Sequence, residues 1–218
     1  MSLTQGRTTP LKLSLPMTAP FIALSRHRLT VDGVGVTTLA AFHGCPLRCR
    51  YCLNHQCWAP EGVWREMTPA ELIAELSIDD LYFRATGGGV CFGGGEPLLR
   101  SAFVTAFAEA RPEQWRLYVE TSLHVPSQHL EALLPYVDHY YVDVKDLNPD
   151  IYRQYTDNDI APVLHNLDVL CRHRLQQRVT VRLPLIAGYN TDADRQRSRQ
   201  LLSDMGFTDF DLFDYVIG

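Results

Sequence analysis

Short apolar runs alternate with amphipathic segments along most of the chain. Runs typical of β-strands occupy residues 36–42, 90–92, 115–120, 140–145, 177–184 and 210–215. Between them, apolar residues recur every three or four positions, which predicts helices over residues 69–84, 100–110, 127–134, 149–155, 162–172 and 192–205. Strands that alternate with helices favour parallel pairing and right-handed crossovers. The pattern therefore predicts an α/β fold whose six strands form one parallel sheet.

Length and N-terminal composition indicate a single domain with a short arm. A chain of 218 residues with 46% hydrophobic content can bury one large core. Residues 1–20 are polar and contain three prolines, so we expect an extended or poorly ordered arm there and one domain over residues 21–218. We find neither a signal-peptide pattern nor an apolar stretch of about 18 residues. We therefore expect a cytoplasmic protein.

Charge and cysteine content narrow the function classes. The net charge of −5 argues against nucleic-acid binding, because phosphate contacts need clustered lysine and arginine. Three of the six cysteines lie within eight residues and the others are scattered, which is not the pattern of a disulfide framework. We expect a monomer in a reducing compartment, without nucleic-acid or membrane partners.

The segment after the first predicted strand carries the most informative chemistry. Cys45, Cys49 and Cys52 follow the pattern C-x3-C-x2-C. A tight loop with this spacing can turn three thiolates toward one point, and thiolates are the protein ligands of iron–sulfur clusters. Three ligands leave one iron of a four-iron cluster free to bind a small molecule. A zinc loop is the alternative, but zinc usually takes four ligands in two C-x2-C-like pairs, and no second pair follows.

The same loop resembles the signature of the radical S-adenosylmethionine (AdoMet) enzymes, in which an aromatic residue precedes the last cysteine, here Tyr51. Gly94-Gly95-Glu96-Pro97 resembles the GGEP motif that holds the methionine ammonium of AdoMet. The segment 31–35 resembles the V-D-G-x-G segment of the glycyl radical enzyme activases, the family of the pyruvate formate-lyase activating enzyme, with Val34 where proline is usual. The resemblance covers about residues 25–215 and implies a partial, open (β/α)6 TIM-type barrel with parallel strands.

Polar residues at the predicted strand ends extend the resemblance. Active sites of β/α folds form at the C-terminal ends of the strands, where Glu120, Thr121, Asp143, Lys145 and Arg182 fall. Each could instead form an ion pair at the rim. In the activases, matching residues hold a monovalent cation and the AdoMet carboxylate. The resemblance implies a Na+ or K+ site at Glu120, Thr121 and Asp143. It also implies that Lys145 and Arg182 lie near the carboxylate.

The resemblance further implies the remaining site residues and the activity. We expect Cys45, Cys49 and Cys52 to hold a [4Fe–4S] cluster. The expected AdoMet-binding residues are Tyr51, Cys52, Leu53, Asn54, Gly94, Gly95, Glu96, Pro97, Asp143, Lys145 and Arg182. One electron from a flavodoxin or ferredoxin would cleave AdoMet to methionine and a 5′-deoxyadenosyl radical. That radical would remove a hydrogen from a glycine Cα of a glycyl radical enzyme, without a catalytic side chain beyond the cofactor ligands.

The sequence leaves two other functions open. The motifs do not identify what fills the rest of the barrel, so the substrate could be a small molecule or another peptide. A non-catalytic metal-binding or degenerate scaffold is the second alternative. It arises because the chain lacks the P-Y-H segment whose histidine helps to bind AdoMet in the activases, and has Phe213-Asp214-Tyr215-Val216 there.

Overall fold

The computed structural model describes residues 17–215. Its strands are β1 (Ala19–Leu29), β2 (Val36–Phe42), β3 (Arg65–Met67), β4 (Gly89–Gly94), β5 (Arg116–Thr121), β6 (His139–Asp143), β7 (Val179–Leu185) and β8 (Asp209–Asp214). Its helices are α1 (Pro69–Leu76), α2 (Asp80–Thr86), α3 (Ser101–Ala110), α4 (Ser127–Glu131), α5 (Pro149–Thr156), α6 (Ala161–Arg172) and α7 (Asp192–Asp204). Residues 1–16 of the predicted arm lie outside the described residues. None of the helices described is both long and apolar enough to cross a membrane.

The strands form one sheet, in the order β3-β1-β2-β4-β5-β6-β7-β8. The six predicted strands, β2 and β4 to β8, pair in parallel, which confirms the α/β architecture. Two strands lie outside the prediction. β1 pairs antiparallel with β2, and β3 pairs antiparallel with β1.

An irregular register explains why β1 escapes the sequence pattern. Its pairing with β2 shifts between Phe21 and Ala23 and again between Ser25 and Arg28. Such bulges break the period-two alternation on which a strand prediction depends. β3 has three residues, too few for a recognisable run. Periodicity therefore predicts the parallel part of the sheet and misses its antiparallel edge.

The sheet has an apolar outer face and a polar inner face. Side chains alternate between the two faces along a strand. The outward residues of β4, β5 and β6 belong to the main hydrophobic core: Val90, Phe92, Leu117, Val119, Tyr140 and Val142. The residues between them, Cys91, Tyr118, Glu120 and Tyr141, therefore lie on the inner face. A ligand held by this sheet meets polar groups there.

The β1–β2 loop (residues 30–35) folds against the inner face. Arg182 of β7 donates from Nη2 to the Val31 carbonyl at 2.8 Å, and the Val34 amide donates to the Tyr118 hydroxyl of β5 at 3.1 Å. In the sheet order, β5 stands two places from β2 and β7 stands four places from it. The sheet must therefore curve around the loop, which gives an open, partial barrel.

Glycine is required where the β1–β2 loop passes the sheet. A Cβ on Gly33 would lie 2.6 Å from Cε2 of Tyr118 and 2.5 Å from Cγ2 of Thr37. The neighbouring Asp32 is fully buried. It accepts hydrogen bonds from Arg28 Nε at 2.6 Å and from the Thr37 hydroxyl at 2.8 Å. The V-D-G-x-G segment is thus held by a close glycine contact and a buried, paired carboxylate.

We predict that Gly33→Ala lowers the free energy of unfolding by about 1–3 kcal/mol, because the added methyl group must displace two side chains in a packed interior. Urea unfolding followed by circular dichroism measures the change. Val34→Ala is the control. Val34 is 55% exposed, so its truncation should change the free energy by less than about 0.5 kcal/mol. Equal stability of Gly33→Ala and the wild type would contradict the packing described.

Candidate functional site

A cavity of about 500 Å³ opens at the C-terminal ends of the parallel strands. Its volume is in the range of small-molecule sites. Its walls come from the cysteine segment, the glycine turn after β4, the ends of β5 to β8 and the β1–β2 loop. Of the predicted site residues, those that line it are Cys45, Cys49, Cys52, Leu53, Asn54, Gly94, Gly95, Glu96, Glu120, Thr121, Asp143, Lys145 and Arg182.

The cysteine loop (residues 45–52) rests on the end of helix α5. The amides of Arg48 and Arg50 donate to the carbonyls of Thr156 and Tyr155 at 3.3 and 3.1 Å. Carbonyls in the last turn of a helix have no partner within the helix, so the loop satisfies two of them. This support leaves three half-buried thiols on one wall of the cavity.

The three thiols differ in their surroundings. Burial raises the pKa of Cys45 to about 12, with the Glu96 charge adding to the shift, and burial also raises the pKa of Cys49. A hydrogen bond from the buried Cys57 thiol instead lowers the pKa of Cys52 to about 6. Metal ligation requires thiolates, so metal binding at this wall releases protons. Cys57 does not line the cavity.

Glu96 ties the end of β4 to the end of β5. One carboxylate oxygen accepts from the Thr121 hydroxyl at 2.7 Å and the Leu98 amide at 3.2 Å. The other accepts from the Ser122 amide at 2.9 Å and the Ser122 hydroxyl at 2.6 Å. A carboxylate offers about four lone-pair sites, so these four donors occupy them. Within the GGEP motif, the Gly94 carbonyl accepts one hydrogen bond, from the Asn54 side-chain amide at 3.0 Å, and has a second lone pair with which it can meet a ligand.

Arg182 is paired inside the barrel. Its Nη1 lies 2.6 Å from Glu120 Oε1 and its Nε lies 3.7 Å from Asp211 Oδ2. The guanidinium also sits over the Tyr141 ring, 4.6 Å from the centroid. Burial by itself would lower the pKa of Arg182, but the Glu120 and Asp143 carboxylates raise it overall. Arg182 is therefore charged and already bound to a carboxylate.

Lys145 is a second buried cation on the cavity wall. Its ammonium donates to the Tyr215 hydroxyl at 3.2 Å and lies 3.7 Å from Asp143 Oδ1. Burial alone would lower the pKa of Lys145, but the Asp143 charge raises it well above its usual value. Lys145 is therefore charged, and its ion pair with Asp143 is longer than a hydrogen bond.

The three predicted cation ligands all contact groups within the protein. Glu120 pairs with Arg182, and Asp143 lies beside Lys145. The Thr121 hydroxyl donates to Glu96. A monovalent cation at this position stays a prediction.

Tyr51 and Pro97 lie outside the cavity lining. The Tyr51 hydroxyl donates to the Ala187 carbonyl at 3.2 Å, and its ring meets that of Tyr189 edge-on with 5.6 Å between centroids. Pro97 is buried. Neither residue is on the cavity wall, and a contact of either one with AdoMet stays a prediction.

Sequence reasoning missed several residues on the cavity wall. Arg28 and Thr30 reach it from β1 and the β1–β2 loop, and Phe213 and Tyr215 reach it from the end of β8. For Phe213 and Tyr215 the sequence does contain a signal, because alternate residues of a strand share a face. That rule groups both aromatic residues with Asp211, which also lines the cavity.

Comparison with known proteins identifies the family. A family model described as the radical SAM superfamily matches residues 40–202. The pyruvate formate-lyase-activating enzyme of Staphylococcus aureus is 33% identical over 172 residues, which cover 76% of this chain and 68% of that protein. The chain belongs to the radical SAM superfamily, in the glycyl radical enzyme activase family. The (2S)-3-sulfopropanediol dehydratase activating enzyme of Klebsiella oxytoca is 27% identical over a match that covers 79% of this chain and 74% of that protein.

Two solved structures share the fold. SuiB of Streptococcus suis bound to S-adenosylmethionine matches with a TM-score of 0.60 at 13% identity, over 80% of this chain and 39% of that one. A radical SAM methyltransferase from Sphaerobacter thermophilus matches with a TM-score of 0.58 at 18% identity, over 83% and 66%. This chain spans less than two thirds of both. At these identities the likeness concerns the fold and confirms the partial barrel.

Membership of the radical SAM superfamily implies a [4Fe–4S] cluster and AdoMet, and the chemistry of the cavity fits both. Three cysteines line it, with no further cysteine or histidine among the described lining residues. That donor set suits a cluster with one iron left for another ligand. The buried, charged Lys145 on the same cavity suits the carboxylate of a bound amino acid.

We predict that Glu96→Gln lowers the free energy of unfolding by about 1–3 kcal/mol, because the amide NH2 would face two donors and leave them without an acceptor. Thermal unfolding of the metal-free protein measures the loss. The exposed Glu61 provides a control. Glu61→Gln should change the free energy by less than about 0.5 kcal/mol. Should Glu96→Gln unfold at the wild-type temperature, the four hydrogen bonds to Glu96 do not brace the site.

Proposed function

We propose that this radical SAM enzyme activates a glycyl radical enzyme by removing a hydrogen atom from the Cα of one glycine. The main support is the cavity itself, in which three cluster-type thiols, a glycine turn and a buried ammonium meet. The two relatives support the partner class, because both are named as activating enzymes.

Cys45, Cys49 and Cys52 are the proposed cluster ligands. The cluster, when bound, supplies one electron that breaks a carbon–sulfur bond of the AdoMet sulfonium, giving methionine and a 5′-deoxyadenosyl radical. A flavodoxin or ferredoxin is the proposed source of that electron. The chain itself fixes the shape of the cysteine loop, because amides of the loop donate to carbonyls of α5. It also provides the wall around the loop, in which Leu47 is buried.

The methionine end of AdoMet needs an acceptor for its ammonium and a donor for its carboxylate. The backbone at Gly94 and Gly95 is the proposed acceptor, since the Glu96 carboxylate has its lone pairs occupied. Lys145 is the proposed donor, because Arg182 is bound to Glu120 at 2.6 Å. A Na+ or K+ at Glu120, Thr121 and Asp143 would have to replace partners that these residues now contact.

The hydrogen transfer requires no general acid or base. A 5′-deoxyadenosyl radical would take a hydrogen atom, proton and electron together, from the glycine Cα. The products would be 5′-deoxyadenosine and a glycine that keeps the unpaired electron. The β1–β2 loop blocks one end of the cavity. The glycine of the partner would therefore enter from the other end, which is open at the C-terminal ends of the parallel strands.

We predict that Cys45→Ala, Cys49→Ala and Cys52→Ala each lose iron binding and AdoMet cleavage, because each removes one of three ligands. Anaerobic reconstitution with iron and sulfide should give about four iron atoms per wild-type chain. Dithionite should then release 5′-deoxyadenosine from AdoMet. Cys171→Ala, which changes a half-buried cysteine outside the cavity, should keep both properties. Full iron content and cleavage in Cys45→Ala would refute the assignment.

Isotope transfer tests the partner class. Pyruvate formate-lyase and (2S)-3-sulfopropanediol dehydratase, each labelled with α-deuterated glycine, are mixed in turn with the reduced, reconstituted protein and AdoMet. We expect deuterium in 5′-deoxyadenosine and an organic radical by electron paramagnetic resonance with at least one of them. A partner whose radical-bearing glycine is replaced by alanine should give neither.

The other outcomes of this experiment separate the alternatives. AdoMet cleavage without deuterium transfer from either protein would favour a small-molecule or other peptide substrate. A reconstituted cluster that does not cleave AdoMet would favour a non-catalytic scaffold.

A further inference from the structure

The end of strand β8 contributes two aromatic side chains to the cavity wall, Phe213 and Tyr215. Tyr215 follows the last residue of β8, yet its amide still donates to the Leu185 carbonyl of β7 at 2.9 Å. Its ring packs against those of Phe213 and Tyr155, with 5.5 and 6.3 Å between centroids. Backbone pairing and packing therefore hold the Tyr215 hydroxyl in a defined position.

That hydroxyl accepts a hydrogen bond from Lys145. The Nζ atom lies 3.2 Å from the Tyr215 oxygen and 5.7 Å from the ring centroid, whereas Asp143 Oδ1 lies farther away at 3.7 Å. An ammonium has three donors. Tyr215 takes one of them, Asp143 Oδ1 lies too far away for a hydrogen bond, and Lys145 lines the cavity, so a ligand there can meet a remaining donor.

A buried lysine needs such a second partner to remain available to a ligand. Its charge stands on a flexible four-carbon stem, and Asp143 alone would draw the ammonium into a close ion pair. The Tyr215 hydroxyl attracts the ammonium from another element of the barrel. Lys145 is thereby held between β6 and β8, with its ammonium 3.7 Å from Asp143 and not at hydrogen-bond distance from it.

We propose that Tyr215 is a positioning residue for AdoMet, which holds the Lys145 ammonium where the methionine carboxylate binds. The inference rests on the proposed function, since it takes AdoMet as the ligand of the cavity. Tyr215 acts on the ligand through Lys145, and Phe213 cannot replace it because a phenylalanine ring has no hydroxyl.

Isothermal titration of the reconstituted, unreduced protein tests this without turnover. We predict that Tyr215→Phe weakens AdoMet binding about tenfold, because one hydrogen bond to a charged group is lost and Lys145 turns to Asp143. Binding of 5′-methylthioadenosine, which lacks the amino-acid part of AdoMet, should stay within about twofold. A general defect in the cavity wall would weaken both ligands alike and would overturn the proposal.

A double variant separates positioning from packing. Lys145→Met should weaken AdoMet binding by itself, and adding Tyr215→Phe should have no further effect, because Tyr215 acts through the ammonium. Tyr189→Phe is the matched control. Tyr189 packs against Tyr155 with 5.2 Å between centroids but does not line the cavity, so this variant should bind both ligands as the wild type does.

The results also distinguish this inference from the function on which it rests. Equal AdoMet affinity of the wild type and Tyr215→Phe would overturn the positioning role and leave the proposed function intact, as would additive losses in the double variant. Failure of the wild type to bind AdoMet would overturn both.

Discussion

Hydrogen bonds at the end of β4 hold the parts of the site together. The Gly95 amide donates to the Phe42 carbonyl and the Glu96 amide donates to the Gly44 carbonyl, both at 2.8 Å. Gly95 permits this approach, since a Cβ there would lie 2.2 Å from the Gly44 oxygen. The Glu96 carboxylate meanwhile binds the amide and hydroxyl of Ser122 after β5. One short segment therefore fixes the entrance of the cysteine loop relative to the strand ends.

The interior of the barrel holds many charges because each has a partner. Burying an unpaired charge is costly, and burying a paired one is much less so. The pairs in and beside the cavity are Arg28 with Asp32, Arg182 with Glu120, and Lys145 with Asp143. A ligand that carries both an ammonium and a carboxylate can exchange partners with such pairs without leaving a charge unpaired. An interior with such ion pairs suits a ligand that carries an amino-acid group better than it suits an apolar ligand.

The sequence predicts those parts of the site whose residues lie close together along the chain. The three cysteines lie within eight residues and the glycine turn within four, so each set necessarily stays together in the structure. The helices and the parallel strands follow from periodicity for the same reason. Arg28 escapes because its position depends on the curvature of the sheet and on the antiparallel pairing of β1, whereas alternation along β8 groups Tyr215 with Asp211 and Phe213. Likewise, three of the four donors to Glu96 come from Thr121 and Ser122 at the end of β5, and the motif around Glu96 gives no sign of them.

The β1–β2 loop limits how far a ligand can reach into the barrel. Its tip connects two antiparallel strands and belongs to none of the parallel crossovers, so it is separate in sequence from the cysteine loop and the glycine turn. Gly33 and the buried Asp32 fix its position against β5 and β2. The depth of the cavity is thus set by a segment outside the parallel strands, and a bulkier side chain at position 33 would change that depth only by displacing Tyr118 and Thr37.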